Sequence, residues 1–447
     1  MSYLANTPED VACMLRAVGV SELAALFADI PKEILCTTWL DLPPALSELE
    51  LTDRLSQLAG DNVSVGQKIC FLGGGSYDHF IPAVVELLAS RSEFLTSYTP
   101  YQPEASQGNL QAMFEYQTLI CQLTGLDVSN ASLYDGGSAT AEAVLMALSV
   151  LPARKKVVVS QTVHPEYRQI LATYLANQEV EILTLPAENG ATSLQKLEEV
   201  SDDQVACVVI QHPNFFGVLE DVAAAAQIAH REGALLIEVF DPISLGMLKG
   251  PAELGADIAV AEGQALGIPL GFGGPYLGIL ACREPFLRRL PGRLVGQTQD
   301  RDGRRCFVLT LQTREQHIRR ANATSNVCTN HALLALRASI YLALLGPQGL
   351  AEVARLCWNK AHYAAQRITA DGRLKLAFDR PFFKEFAVRD GQGQVKSLLA
   401  HAEREGFFAG LPLGRWYPEL DDCFSVAVTE RRSREQIDAL ADCLSHA

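Results

Sequence analysis

Residues 257–282, DIAVAEGQALGIPLGFGGPYLGILAC, place Gly263, Gly267, Gly271, Gly273 and Gly274 in a loop between two short apolar runs. The runs read as buried strands, and backbone left this bare lets another group approach closely. Within the loop Gln264 offers an amide, which can donate and accept hydrogen bonds but cannot form an imine. No lysine occurs between Lys249 and Lys360, so the stretch holds no amine that could. Elsewhere, Tyr134-Asp135-Gly136-Gly137-Ser138 runs straight into a helical segment. The N–H groups of Gly136, Gly137 and Ser138 suit a phosphate, although any capped helix looks similar. Asp241 ends an apolar run and so puts a carboxylate at the end of a buried strand. His164 either stacks on a ring or caps the helix that Pro165 opens.

Two further stretches are rich in polar groups. Residues 97–108, SYTPYQPEASQG, offer Thr99, Tyr101, Gln102, Glu104 and Gln107 on a loop stiffened by Pro100 and Pro103. Such a loop lines a site or forms a satisfied turn before a helix over 110–124. Thr324, Ser325 and Asn326 precede a long helix expected over 329–345, where their hydroxyls and free N–H groups suit either a phosphate or a cap. Between Arg283 and Arg320 ten arginines face four carboxylates. That segment reads as a solvated face with internal ion pairs, or as a dock for an acidic partner or anionic groups.

The elements that must position these groups follow from the apolar pattern. Strands over 156–160, 180–185, 206–211 and 234–240 alternate with helices over 139–151, 165–176 and 222–232. Continuous β-branched runs of this kind belong to a mainly parallel, doubly wound sheet covered by helices on both faces. Helices over 8–17, 20–28 and 45–59 precede it, the first with Thr7 as N-cap and Pro8 at its first position. The expected organisation is a helical arm (1–70), a large α/β domain (71–322) and a smaller α+β domain (323–447) with strands near 384–388 and 424–428. Residues 69–77, ICFLGGGSY, have the wrong glycine spacing for a dinucleotide fingerprint.

At 447 residues and 48% hydrophobic the chain can bury a large core. Its longest apolar runs fall short of the roughly 20 residues that span a bilayer, and its start lacks a signal-peptide pattern, so a cytoplasmic protein without membrane attachment is expected. A net charge of -15 argues against nucleic acid. Eleven cysteines with no Cys-x-x-Cys pair point to reduced thiols rather than disulfides or a zinc site.

Longer motifs carry a specific resemblance. FLGGGSYDHFIP, SYTPYQPEASQGNLQAMFEYQ, NASLYDGGSATAEA, AEGQALGIPLGFGGPYLG, PGRLVGQTQDRDG and LQTREQHIRRANATSNVCTNHALLAL resemble the glycine cleavage system P-protein, in particular the α subunit of its two-chain form. The resemblance runs from about Phe71 into the C-terminal part. It implies a fold-type I architecture of the enzymes that use pyridoxal phosphate, in an α2β2 assembly acting as glycine dehydrogenase (aminomethyl-transferring). In that family the β subunit holds pyridoxal phosphate on a lysine, and the α subunit has glutamine there, which Gln264 matches. The implied reaction decarboxylates glycine and passes the aminomethyl group to the lipoyl arm of the H-protein. The resemblance further implies that Thr99, Tyr101, Gln102, Glu104, Gln107, Thr324, Ser325 and Asn326 line an interfacial active site, with Thr324 reaching the partner's cofactor phosphate. Gly136, Gly137, Ser138, His164 and Asp241 are then remnants of a cofactor pocket. One departure is Asn322, where the family commonly has lysine. A free-standing enzyme with another anchoring group and a non-catalytic structural or regulatory paralogue are the competing readings.

Overall fold

The computed structural model describes residues 6–36, 38, 40–323 and 325–446. Contacts divide the chain into two compact units, residues 1–63 and 64–447. In the first, the Thr7 hydroxyl accepts from the Asp10 N–H and the Asp10 carboxylate accepts from the Thr7 N–H, a capping box that starts the helix Pro8–Val18. Ser47 and Glu50 repeat the device for the helix Glu48–Gly60. The helix expected over 20–28 is instead a short 3-10 turn, Leu23–Phe27, whose N-cap residue Glu22 makes no side-chain capping bond. None of these three elements buries a residue.

The second unit is built on a seven-stranded sheet. Its strands are β1 (Val128–Ser129), β2 (Lys156–Ser160), β3 (Glu181–Leu185), β4 (Val205–His212), β5 (Leu235–Phe240), β6 (Ile258–Glu262) and β7 (Gly278–Cys282). They lie in the order β1-β7-β6-β5-β4-β2-β3. Strands β2 to β6 pair in parallel, and β7 runs antiparallel to both neighbours. The direction change needs no crossover helix because the glycine loop returns the chain directly from β6 to β7. Alternation along the strands sends Val157, Val159, Cys207, Val209, Ile237, Val239 and Val260 into one core, with Ala139, Ala143 and Val144 of the helix Gly136–Val150. Val158, Val208, Ile210 and Leu236 face the other way, under Val222, Ala225 and Ala229 of the helix Val222–Arg231. Both faces are therefore buried, as a parallel sheet requires.

After the sheet, the helix expected over 329–345 starts at Ala332 and continues to Ile368 across a kink. Gly346, at φ 59°, leaves the helical region, and Pro347 opens the second half, where its missing N–H costs nothing. Long and apolar enough by composition to cross a bilayer, this helix packs Ala335, Ala338, Tyr341 and Leu342 into the protein core. A four-stranded antiparallel sheet follows: β8 (Leu374–Leu376), β9 (Glu385–Asp390), β10 (Leu411–Pro412) and β11 (Cys423–Ala427), in the order β8-β9-β11-β10. Ile69 and Cys70 pair in parallel with Phe407 and Phe408, and Phe71 joins the core of this C-terminal part. From there residues 72–80 cross to the carboxyl ends of β4, β5 and β6, the edge at which α/β sheets build their sites.

Candidate functional site

A cleft lies at that edge, bounded by Gly75, Tyr77, His164, Tyr167, Asp241, Glu262, Lys384 and Glu385 among others. The free volume left inside it is about 40 Å³, room for a few waters. Of the residues singled out in the sequence, His164 and Asp241 line it.

Gln264 is buried under the cleft wall. Its Oε1 accepts from the Tyr77 N–H (2.8 Å), and its Nε2 donates to the carbonyls of Tyr77 (3.1 Å) and Ile268 (2.8 Å). An amide can make this two-way bond with one residue's backbone, whereas an ammonium has no acceptor to offer the Tyr77 N–H.

The start of the helix Gly136–Val150 is occupied from within. Glu262, the last residue of β6, accepts from the Gly136 N–H through Oε2 (3.0 Å) and from the N–H groups of Gln264 and Leu277 through Oε1 (both 3.0 Å). Ser138 N–H is taken by Asp135 Oδ1 (2.7 Å). Burial pushes the Glu262 carboxyl up to about 8, against the pull of the three N–H donors. Glycine at 136 is required by proximity, since a Cβ there would lie 2.4 Å from Tyr167 Oη and 2.9 Å from the Glu262 nitrogen.

Tyr167 stacks on His164, with ring centroids 4.4 Å apart and planes at 16°. The imidazole Nδ1 accepts from the Glu166 N–H (3.1 Å), which leaves Nε2 to donate to the Gly74 carbonyl (2.8 Å). His164 is thus both the helix cap and a stacking partner, and burial holds its pKa down to about 4.

Asp241 is paired with Lys384, Nζ to Oδ2 at 2.7 Å. The lysine, buried just before β9, also donates to His79 Nε2 (3.0 Å) and sits 3.7 Å from the centre of the Tyr77 ring. His79 Nδ1 in turn donates to Glu430 Oε2 (2.7 Å). His79, Cys357 and Glu430 are close enough to hold a metal ion, but both imidazole nitrogens are committed and an ammonium stands at Nε2. Glu385 accepts from the Gly74 N–H (3.0 Å) and from Tyr77 Oη (2.9 Å), and burial raises its carboxyl. Cys328 and His331 stand at Cys-x-x-His spacing, yet His331 Nδ1 faces the Tyr276 carbonyl at 2.6 Å.

Pyridoxal phosphate does not fit these residues: position 264 has no amine, the helix N–H and Asp241 are taken, and Tyr167 lies against Gly136. The polar loop is elsewhere. Gln107 exchanges bonds with the backbone of Phe307 (2.8 and 2.9 Å), while Tyr101, Gln102 and Glu104 are exposed and Thr99 is half-buried, none of them lining the cleft. Ser325 is hydrogen-bonded to Glu142 and accepts from the Val327 N–H, and Asn326 is exposed. Thr324 lies outside the described residues. Sequence reading missed Tyr77, Tyr167, Glu262 and Lys384; the one available signal was the acid at position 262, ending a buried run two residues before Gln264.

Comparison with known proteins places this geometry. The family described as glycine cleavage system P-protein matches residues 1–444. A probable glycine dehydrogenase (decarboxylating) subunit 1 of Carboxydothermus hydrogenoformans is 52% identical over 446 residues, 99% of each chain. A crystal structure of glycine decarboxylase (P-protein) of the glycine cleavage system, in inhibitor-bound form, superposes with a TM-score of 0.92 at 47% identity over 100% of both chains. A NifS-like protein from Rickettsia africae, 11% identical, matches 85% of this chain and 99% of its own at a TM-score of 0.64, which speaks for the fold alone. Matched along nearly its whole length by family, relative and structure, the chain belongs to the glycine cleavage system P-protein family.

Proposed function

We propose that this chain is the half of a two-subunit glycine dehydrogenase (decarboxylating) that does not anchor the cofactor, and that a second subunit carries pyridoxal phosphate on a lysine. One observation carries the reading: Gln264, where the resemblance expects that lysine, has both ends of its amide tied to backbone at Tyr77 and Ile268. The relatives' designation as subunit 1 supports a second subunit. On the partner, the cofactor supplies the electron sink for loss of CO2 from glycine. This chain's share is to complete the wall of the partner's site and exclude water from it, with the aminomethyl group leaving on the lipoyl arm of the H-protein. Thr99, Tyr101, Gln102, Glu104, Gln107, Thr324, Ser325 and Asn326 are the residues proposed to face that site.

Reconstitution tests it. Glycine–bicarbonate exchange is measured for each chain alone and for the mixture, then the complex is reduced with borohydride and its peptides mapped. Exchange in the mixture only, with the adduct on the partner, is expected. Exchange by this chain alone, or an adduct on one of its own lysines, overturns the reading. If the mixture is no more active than the partner alone, the non-catalytic paralogue is the better account.

A further inference from the structure

The groups that fill the cleft each have the chemistry of one part of a phosphorylated pyridine. Glu262 presents two oxygens to three backbone N–H groups, that of Gly136 at the start of the helix Gly136–Val150 and those of Gln264 and Leu277 in the glycine loop, much as backbone N–H groups hold a phosphate. Tyr167 lays an aromatic ring on His164. Lys384 brings an N–H cation to Asp241 at 2.7 Å, as a protonated ring nitrogen would. We propose that Glu262, Tyr167 and Lys384 are a built-in replica of a phosphorylated pyridine ring, which closes the cleft to such ligands and pins the C-terminal sheet to the parallel sheet without one.

Of the three, Lys384 makes the link between the sheets, through its pair with Asp241. Glu262 ends β6, Tyr167 belongs to the helix Pro165–Leu175, and Lys384 immediately precedes β9. The strap 72–80 then bonds a residue close in sequence to each of them. Gly74 bonds His164 through its carbonyl and Glu385 through its N–H, and the Tyr77 backbone bonds Gln264. No exogenous molecule is needed to satisfy these groups, so the two sheets hold their relative position in the chain alone. This inference goes beyond the proposed function, because the cleft is filled whether or not a partner anchors a cofactor.

Pyridoxamine phosphate is the probe, since it lacks the aldehyde that would react with surface lysines; inorganic phosphate is the second. Binding of both to the full chain is measured by calorimetry and by the shift in melting temperature. The wild type is expected to bind neither at millimolar concentration. Glu262→Ala/Tyr167→Ala frees the helix N–H and the ring space, and is expected to bind pyridoxamine phosphate at least tenfold more tightly than the wild type. A melting shift of the wild type with pyridoxamine phosphate that Asp241→Asn abolishes would show an open pocket and overturn the proposal. So would a double variant that melts cooperatively and still binds nothing. Should the double variant not fold, Glu262→Ala with inorganic phosphate decides alike, because that ion needs only the three N–H groups: binding gained supports the replica, binding not gained overturns it.

Discussion

The cleft at the ends of β5 and β6 and the helices of residues 6–63 differ in how far each completes its own interactions. In the cleft, charged and polar groups are buried but partnered: Lys384 has Asp241, His79 and the Tyr77 ring, and Glu262 has three N–H groups. In the first unit the two helices and the 3-10 turn bury nothing, and Val18, Leu40 and Leu49 are 64%, 76% and 73% exposed. Apolar side chains left in water on this scale forgo the main stabilising term in folding. The chain supplies its own substitute for a ligand and none for a neighbour. That combination suits the role proposed for this chain, beside a cofactor held by another.

The largest expected effect comes from removing the unfinished region. Covering three such side chains is worth about 5 kcal/mol or more, so deleting residues 1–63 is expected to weaken association with the partner chain by roughly four powers of ten. The remainder should still melt cooperatively, since its three large cores lie outside the deleted part. Light scattering of the mixture reads the first outcome and calorimetry the second. Unchanged association would break the contrast at its arm end.

Next in size is the ion pair. Lys384→Met strands Asp241 in a nearly closed site, and losing one partner of a buried pair costs about 3–5 kcal/mol. Removing both charges, in Lys384→Met/Asp241→Asn, should recover most of that loss in urea unfolding. Additive costs would mean the two groups do not act as a pair.

Much of this architecture was readable beforehand, for physical reasons that also mark where reading stopped. Unbroken β-branched runs fixed the parallel strands, and Thr7-Pro8 and Asp135-Gly-Gly-Ser138 marked helix starts through local bonds that involve only neighbouring residues. The places of His164 and Asp241 in the cleft wall were legible because strand ends point to this edge in any sheet of this kind. Lys384 was not, since its partner Asp241 lies far upstream and only the packing of the C-terminal sheet joins them. Nor does the polarity of residues 97–108 say which way they face: Gln107 turned to the hairpin strand Arg305–Thr310, not to the cleft. Glu262 was in plain view, but its role depends on the return of Leu277 from across the glycine loop.

Gln264 sharpens the comparison at the cleft itself. Gln264→Leu keeps the volume and leaves the Tyr77 N–H and the Ile268 carbonyl without their partners, while the Tyr77 carbonyl keeps the His79 N–H at 3.0 Å. At about 1–3 kcal/mol for a stranded buried group, partly relieved by water, a loss of about 2–4 kcal/mol is expected in denaturant unfolding. Gln264→Lys should lose a similar amount and gain no cofactor adduct, because the helix N–H and Asp241 stay occupied. A stable Gln264→Lys that is trapped by borohydride with pyridoxal phosphate would show the cleft to be open after all.

The smallest effect concerns one buried acid the chain left unpartnered. Glu238, in β5 between Ile210 and Ala259 of the adjacent strands, is 0% exposed and neither carboxyl oxygen has a hydrogen bond. Burial pushes its pKa up to about 8 from a usual value of 4.5. The folded chain therefore holds a proton there that the unfolded chain has released, and the sign follows from linkage. Stability from this group is full below about pH 4.5 and is lost as pH rises through about 8. The limiting size is about 5 kcal/mol, of which water penetration leaves roughly 1–3 kcal/mol. Glu262, also raised to about 8, adds a share to the same slope. Glu238→Gln removes only the Glu238 share, so its unfolding free energy should fall less between pH 5 and pH 9 than that of the wild type. Parallel curves for the two proteins would mean that Glu238 has found a partner or a water in solution, and that the sheet beneath the cleft is as fully satisfied as the cleft itself.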